Sequence, residues 1–253
     1  MKILFLFFLI MFGYFYKSNT ESISTLEYND KFLSNTEEQI YNQIINAINN
    51  YETTIIPNII IKIDSLNSIM NTIFNDHPEF FYLETSYSYK YSNDIIIQIH
   101  LVYNELIHDV DHHKKIFDDK VDSILEKAYE LNTDLEKEKY IHDYLIEHVS
   151  YDENSKVNQS AYSALIYESS VCAGYSRAFQ YLMNQLEIDT YYCSGFSFGN
   201  HAWNLIYINN EFYNVDVTWN DSNNTDVFFN RKDDFFSKTH TRSETCKLLP
   251  RSE

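Results

Sequence analysis

The sequence contains Ser169-Ser170-Val171-Cys172-Ala173-Gly174-Tyr175-Ser176-Arg177-Ala178-Phe179, which places a cysteine at the point where a loop becomes a helix. A thiol at a helix N-terminus lies beside unpaired N–H groups and the positive end of the helix dipole, and both favour the thiolate. Ser169 or Ser170 is expected to be the N-cap. The alternative is that Cys172 is a small buried hydrophobic residue. Apolar residues recur at spacings of three and four, which predicts one buried helix face: Tyr175, Phe179, Leu182, Met183 and Leu186.

Two strand-like segments downstream supply the partners that a cysteine nucleophile needs. Residues 201–208 and 211–219 each have a strand pattern, and the two asparagines between them suit a two-residue turn because Asn tolerates positive φ. Residue 208 then pairs with 211 and 203 with 216, so His201, Trp203 and Asp216 share one face. In that arrangement Asp216 fixes the tautomer of His201, and His201 takes the thiol proton of Cys172. A register shift of one residue would separate the histidine from the carboxylate.

Three blocks of sequence follow one another in the chain: Val171-Cys172-Ala173-Gly174-Tyr175, His201-Ala202-Trp203-Asn204 and Tyr213-Asn214-Val215-Asp216-Val217-Thr218-Trp219. Together they resemble the transglutaminase-like superfamily of papain-related folds, and more narrowly its bacterial exported members. The resemblance is strongest over roughly residues 136–220. It implies an α+β fold in which a helix that begins at the catalytic cysteine packs on an antiparallel sheet, preceded by a small α/β N-terminal region. It also implies a catalytic triad of Cys172, His201 and Asp216.

The chain of 253 residues is expected to contain three parts. Residues 1–24 have the pattern of a signal peptide, with an uncleaved N-terminal anchor as the alternative. Residues 25–110 form an N-terminal α+β region, and residues 111–253 form a transglutaminase-like domain with a polar, partly disordered C-terminal tail. The protein is therefore expected to be secreted or extracytoplasmic. Its net charge of −18 argues against nucleic acid, and contact with a membrane is expected only through the N-terminal segment.

The remaining cysteines and histidines suggest no cofactor and no metal ion. The chain has three cysteines, so one thiol stays free or pairs between chains. Cys193 and Cys246 either form a disulfide or remain inert thiols. One cluster has the composition of a metal site but lacks a clear third ligand at helical spacing: His108, Asp109, Asp111, His112 and His113.

Several residues near the predicted triad have alternative interpretations. His240 is a second candidate for the histidine, but it lacks a carboxylate at hairpin spacing, so triad logic favours His201. The Tyr151 hydroxyl is a candidate donor to an oxyanion, although a packed tyrosine explains it equally. Gly195 and Gly199 either let a loop bend over a cleft or belong to a plain strand connection. A last edge strand is expected at residues 228–230.

These patterns predict an enzyme that transfers acyl groups from peptide-like amides through a thioester, either a cysteine peptidase or amidase or a protein cross-linking transglutaminase. The expected partner is a protein or peptide substrate, for example a peptide of the cell envelope. The competing hypothesis is a non-catalytic extracellular binding or scaffolding module that keeps the fold. The triad residues are the same for hydrolysis and for transfer to an amine, so the sequence does not choose between them.

Overall fold

The computed structural model describes residues 33–253. The predicted segment 1–24 and the first residues of the predicted region 25–110 lie outside this range. The described residues form a mixed α+β fold, which confirms the predicted fold class. Its helices are α1 Asn35–Asn49, α2 Ile63–Asp76, α3 Val110–Tyr129, α4 Asp134–His148, α5 Ala161–Ile166, α6 Cys172–Gln185, α7 Val217–Asn223 and α8 Asp233–Phe236.

The strands form three sheets. Short β1 pairs with the long hairpin β2–β3, β4 pairs in parallel with β5, and the third sheet has the antiparallel order β8-β7-β6-β9. The strands are β1 Thr54–Ile55, β2 Leu83–Ser92, β3 Ile95–Tyr103, β4 Ser150–Tyr151, β5 Ser169–Ser170, β6 Thr190–Phe196, β7 Asn200–Ile208, β8 Glu211–Val215 and β9 Thr241–Arg242.

Local sequence signals set the N-terminal elements. The Ser34 hydroxyl caps α1 together with Glu37, and this capping box fixes the start of the helix. The β2–β3 hairpin turns at Asn93 and Asp94, whose φ angles of 49° and 61° suit a tight turn. On α4 the N-cap is Thr133, because its hydroxyl accepts the Glu136 N–H.

Helix α6 lies at the centre of the core. Its apolar face, which includes Tyr175, Phe179 and Leu182, packs with Ile206 of β7 in one buried cluster that also contains the apolar face of α1. A hydrogen bond also joins α6 to α2: Arg177 donates to the Phe74 carbonyl at 3.3 Å. The predicted packing of the cysteine helix on an antiparallel sheet is confirmed. The division of the chain at residue 110 stays a prediction.

The C-terminal part differs from two expectations. Residues 228–230 form no strand, and the edge strand of the sheet is instead β9, which pairs with the end of β6. The tail is also ordered, because Leu249 and Ser252 are buried and the Ser252 N–H donates to Asp233 at 3.2 Å. These contacts close the segment onto β8 and β6, and thus onto the sheet that carries His201.

Candidate active site

Cys172 is the first residue of α6 and is partly exposed. The N-cap is Val171 and has no side-chain cap, so the prediction of a serine cap was wrong. Ser170 lies in β5, and its hydroxyl donates to the Asn158 carbonyl at 2.6 Å instead. The first turn of a helix leaves N–H groups without helical acceptors, and here these include the N–H groups of Cys172 and Ala173. A negative oxygen formed beside the thiol would meet these donors.

Gly174 allows the start of α6 to pack closely on the preceding loop. A Cβ atom at this position would lie 1.8 Å from Ser170 Oγ and 2.8 Å from the Ser160 carbonyl oxygen. The glycine is therefore required by close contact rather than by a positive φ angle. This packing places Asn158 and Gln159 along the same cleft as Cys172.

Strand β7 positions His201 opposite the start of α6. Asn204, further along β7, donates to the Ser176 carbonyl at 3.0 Å, which joins β7 to the cysteine helix about one turn beyond Cys172. The hairpin has the predicted register, with Ile208 opposite Glu211 and Asn204 opposite Val215. Asn209 and Asn210 form its turn with φ angles of 53° and 64°. This register gives His201 and Asp216 the shared face that the sequence predicts.

Asp216 lies one residue beyond the strand that was expected to carry it. Strand β8 ends at Val215, and Val217–Asn223 is helix α7 rather than a continuation of the strand. Asp216 is the N-cap of α7, because its Oδ1 accepts the Trp219 N–H at 3.0 Å. Its other oxygen, Oδ2, lies 2.7 Å from His201 Nε2. One carboxylate therefore ends the strand, starts the helix and holds the histidine.

The electrostatics of this pair favour an imidazolium. Burial lowers the pKa of His201, but the hydrogen bond to Asp216 and the interaction with Cys172 outweigh it and raise the pKa to about 9. Burial raises the pKa of the Asp216 carboxyl, and hydrogen bonds from His201 and His240 more than offset this and leave it below its usual value. Because Nε2 of His201 is occupied by Asp216, Nδ1 is the ring nitrogen left for Cys172. The three predicted residues thus lie together.

His240 makes a contact that the sequence analysis missed. It has no carboxylate at hairpin spacing, but its Nε2 lies 3.0 Å from the same Asp216 Oδ2 that His201 contacts. The contact joins residues 24 apart through the segment between α8 and β9. Hairpin spacing could not reveal it, because His240 approaches Asp216 from outside the hairpin.

Cys172 and His201 line an open cleft of about 800 Å³. Tyr151 of β4 and Gln159 line one side, and Ala202 and Thr241 line the other. Gly195 does not form a hinge over this cleft: a Cβ there would lie 2.0 Å from the Thr241 carbonyl oxygen, so the glycine lets β9 approach β6. Gly199 has open space around it. Beside it Phe198 is 87% exposed and stacks on Trp219, which leaves an aromatic surface at the rim.

The other two cysteines are buried and free, and no disulfide joins them in this structure. The Cys246 sulfur accepts the Ser194 N–H at 2.8 Å, so both thiols lie within the core of the sheet. Within residues 33–253 two groups of side chains could hold a metal ion: His201, Asp216 and His240, and His142, Asp143 and Asp226. In the first group both His–Asp contacts already have hydrogen-bond geometry. The predicted cluster around His108 is in neither group.

Comparison with known proteins supports the family. Residues 124–217 match the model described as the transglutaminase-like superfamily. A solved structure of a TGase is similar over 62% of this chain and 48% of its own, with 18% identity and a TM-score of 0.37. A candidate cysteine protease from Cytophaga hutchinsonii is similar over 39% of this chain and 37% of its own, with 24% identity and a TM-score of 0.35. No curated protein matches the chain.

The fold and the site therefore define an α+β protein with a cysteine at the start of a central helix and a histidine–aspartate pair on the facing sheet. Residues 124–217 are similar to the transglutaminase-like superfamily, a family that includes thiol-dependent enzymes. This chain spans about half the length of the TGase and about a third of the C. hutchinsonii protein. Among the helices of residues 33–253, none is both long and apolar enough to cross a membrane.

Proposed function

We propose that the protein transfers acyl groups from peptide-like amides through a thioester on Cys172. The observation that carries the proposal is His201, which lies between the buried carboxylate of Asp216 and the thiol at the start of α6. A cysteine becomes a strong nucleophile when a base takes its proton and a third group orients that base. Asp216 is the orienting group, since it accepts from His201 Nε2 at 2.7 Å.

The reaction has two halves. In the first, the Cys172 sulfur attacks the amide carbon while His201 holds the thiol proton, and His201 then gives this proton to the leaving amine. The C–N bond breaks and a thioester remains on Cys172. In the second half, His201 takes a proton from water or from an amine, which attacks the thioester and releases the thiol. Water gives hydrolysis, and an amine gives a new amide bond.

The negative oxygen of each tetrahedral intermediate needs donors that are already in place. The Cys172 N–H at the start of the 14-residue helix α6 is the first such donor, and the helix dipole adds to it. Tyr151 is the second, because it lines the same cleft, is half exposed, and interacts electrostatically with Cys172. Burial and the neighbouring thiolate raise the pKa of Tyr151, so its hydroxyl keeps the proton that it donates.

The cleft suits an extended peptide rather than a small enclosed molecule. It is open on the solvent side, and the exposed rings of Phe196 and Phe198 form an apolar rim beside His201. The signal-like N-terminal sequence supports an extracytoplasmic location and a substrate peptide found there, such as one of the cell envelope. A membrane contact would come only through an uncleaved N-terminal segment.

The test is the alkylation rate of the three cysteines with iodoacetamide across pH, resolved by peptide mass spectrometry. We expect Cys172 to react fast well below pH 8, and His201→Ala to slow it by roughly 100-fold. The buried Cys193 and Cys246 are internal controls, and Cys172→Ala should keep the fold. A Cys172 that reacts no faster than a free thiol contradicts the proposal and favours the non-catalytic binding module.

Hydrolysis and transfer are separated in a second step. Short peptides are incubated with the protein, with and without a primary amine such as cadaverine, and the products are identified by mass. Cleaved or deamidated peptide without amine indicates hydrolysis, whereas a peptide–amine adduct indicates transfer. Cys172→Ala must abolish either product.

A further inference from the structure

His240 lies under the candidate triad and is only 4% exposed. Aromatic rings enclose it, and the Phe236 ring is stacked on it with a centroid distance of 3.9 Å. A buried imidazole in such surroundings is costly unless its nitrogens have partners. Both nitrogens do: Nε2 lies 3.0 Å from Asp216 Oδ2, and Nδ1 lies 2.8 Å from Thr239 Oγ1.

These partners assign the protons of His240. An ionised Asp216 can only accept, so Nε2 of His240 carries the proton of that bond. The Thr239 hydroxyl has two acceptors in reach, Nδ1 at 2.8 Å and the Phe236 carbonyl at 3.4 Å, and the shorter distance favours donation to Nδ1, which then needs no proton. A second imidazolium here would place two cations on one buried carboxylate that His201 already uses. The arrangement therefore favours a neutral His240 with its proton on Nε2.

We propose that His240 is a positioning residue for the acyl-transfer reaction, because its Nε2–H bond fixes the Asp216 oxygen that orients His201 and takes up part of its negative charge. This inference rests on the proposed function of the site. With His240 in place, Asp216 has three donors: the Trp219 N–H on Oδ1, and His201 and His240 on Oδ2. Without it, His201 would be the sole donor to Oδ2.

The consequence is a specific electrostatic effect. A hydrogen bond that stabilises the charge of Asp216 leaves less of that charge to stabilise an imidazolium at His201. Removal of the His240 donor is therefore expected to make His201 a stronger base and to loosen its orientation. A residue that only fills space in the core would not move the titration of His201.

Other ionisable groups around the pair come from several elements, and most stay fixed in the pH range of interest. Burial raises the pKa of Tyr192 to about 12, and the pKa of Tyr151 is also raised. Arg242 of β9 is paired with Asp233 at 3.0 Å. One further group titrates closer to neutrality: Cys246, which shares a buried cluster with Trp203 and Phe236, has a pKa lowered to about 6 by its hydrogen bond with Cys193. Its alkylation therefore needs to be followed in the same experiment.

The test is NMR of the full chain with ¹⁵N-labelled histidine, together with three variants. His240→Gln keeps a donor near the position of Nε2 but cannot titrate, whereas His240→Phe keeps the ring volume and removes the donor. The matched control is His113→Gln, a partly buried histidine of α3 that contacts Tyr162 outside the site. The pH titration of His201 is the main readout, and iodoacetamide alkylation of Cys172 and Cys246 is measured on the same samples.

In the wild-type protein we expect the Nε2–H tautomer at His240. His240→Phe should raise the pKa of His201 by about half a unit or more, and His240→Gln should restore most of the wild-type titration. His113→Gln should leave it unchanged. An unchanged His201 titration in a folded His240→Phe protein, or an Nδ1–H tautomer at His240, would overturn the proposal.

If His240→Phe does not fold, the tautomer of His240 in the wild-type protein and the His201 titration in His240→Gln still test the proposal. If His240→Gln shifts the His201 titration by the amount expected for loss of the donor, the proposed role of the hydrogen bond is contradicted. The proposed function fails separately, through a wild-type Cys172 that alkylates like an ordinary thiol. The tautomer of His240 is read without any turnover, so the two failures are distinguishable.

Discussion

Two buried histidines in this molecule each lie beside an aspartate, yet their pKa values shift in opposite directions. In the hairpin region, His201 contacts Asp216, which is fully buried, and the pKa of His201 rises to about 9. In the α4 region, His142 is fully buried, and burial dominates and lowers its pKa despite a 2.9 Å contact with Asp143. The difference lies in the partners of the two histidines: Asp216 and Cys172 both raise the pKa of His201, whereas the effect of Asp143 on His142 is opposed by Lys139.

Asp143 is already neutralised and screened. Its side chain is 52% exposed, and Lys139 donates to it at 2.5 Å. Within residues 33–253 Asp216 forms its hydrogen bonds and ion pairs with no lysine or arginine, so its charge acts on the imidazoles. A buried anion that is left without a permanent cation is expensive, and such groups concentrate at functional sites. The comparison therefore separates a structural histidine from a candidate catalytic one.

The sharpest way to break this comparison is to remove each carboxylate in turn. Asp216→Asn keeps an N-cap for α7 but cannot stabilise an imidazolium, so alkylation of Cys172 at pH 6 should slow by roughly 100-fold, as in His201→Ala. Asp143→Asn is the matched control and should change the rate by no more than about twofold. Rates are measured with iodoacetamide by peptide mass spectrometry. Equal rates for the two variants would mean that Asp216 does not act on His201.

A second test uses the opposite signs of the two shifts. The pKa of His201 is raised, so its contribution to the free energy of unfolding is fully present below pH 6.5 and is lost as the pH rises through about 9. The pKa of His142 is lowered, so its contribution is fully present above pH 6.5 and is lost as the pH falls through the folded value.

Urea unfolding across pH measures both effects. Relative to wild type, His201→Gln should flatten the alkaline side of the stability curve by about 2 kcal/mol, and His142→Gln should flatten the acid side by less. If both variants change the same side of the curve, the contrast between the two regions is wrong.

The smallest expected effect concerns a buried carboxyl group in the α4 region. Glu138 is fully buried on α4, and burial raises its pKa to about 8 against one hydrogen bond from Asn230. Its favourable contribution is therefore present below pH 4.5 and is lost as the pH rises through about 8. Glu138→Gln should increase the free energy of unfolding by about 1 kcal/mol at pH 8 and leave it unchanged at pH 4.5.

The control for this variant is Glu147→Gln, an exposed position on the same helix. It should have no effect at either pH beyond about 0.5 kcal/mol. A Glu138→Gln protein that is less stable at pH 8 than the wild type would show that the carboxylate is ionised and paired in the fold.

The sequence alone was sufficient to predict the elements that depend on short-range rules. The spacing of Tyr175, Phe179 and Leu182 predicted the buried face of α6, and the two asparagines at the turn predicted the register that joins His201 to Asp216. Period-two alternation then placed both side chains on one face. The candidate site is therefore encoded almost entirely within one helix and one hairpin.

What the sequence could not supply depends on contacts between distant segments. The end of β8 was misplaced because Asp216 leaves the strand to cap α7, and its β-branched neighbours Val217 and Thr218 suggested that the strand continued. The predicted serine cap failed because Asn158 takes the Ser170 hydroxyl from another loop. His240 was undervalued because no local spacing relates it to Asp216.

The position of His240 late in the chain also has a consequence for biosynthesis. Synthesis proceeds from the N-terminus, so Cys172, His201 and Asp216 are all made before the segment 233–253 that carries His240 and β9. A nascent chain that has folded this far lacks the hydrogen bond between His240 and Asp216. Asp216 therefore gains its second imidazole partner only after residues 233–253 are made and fold onto the sheet.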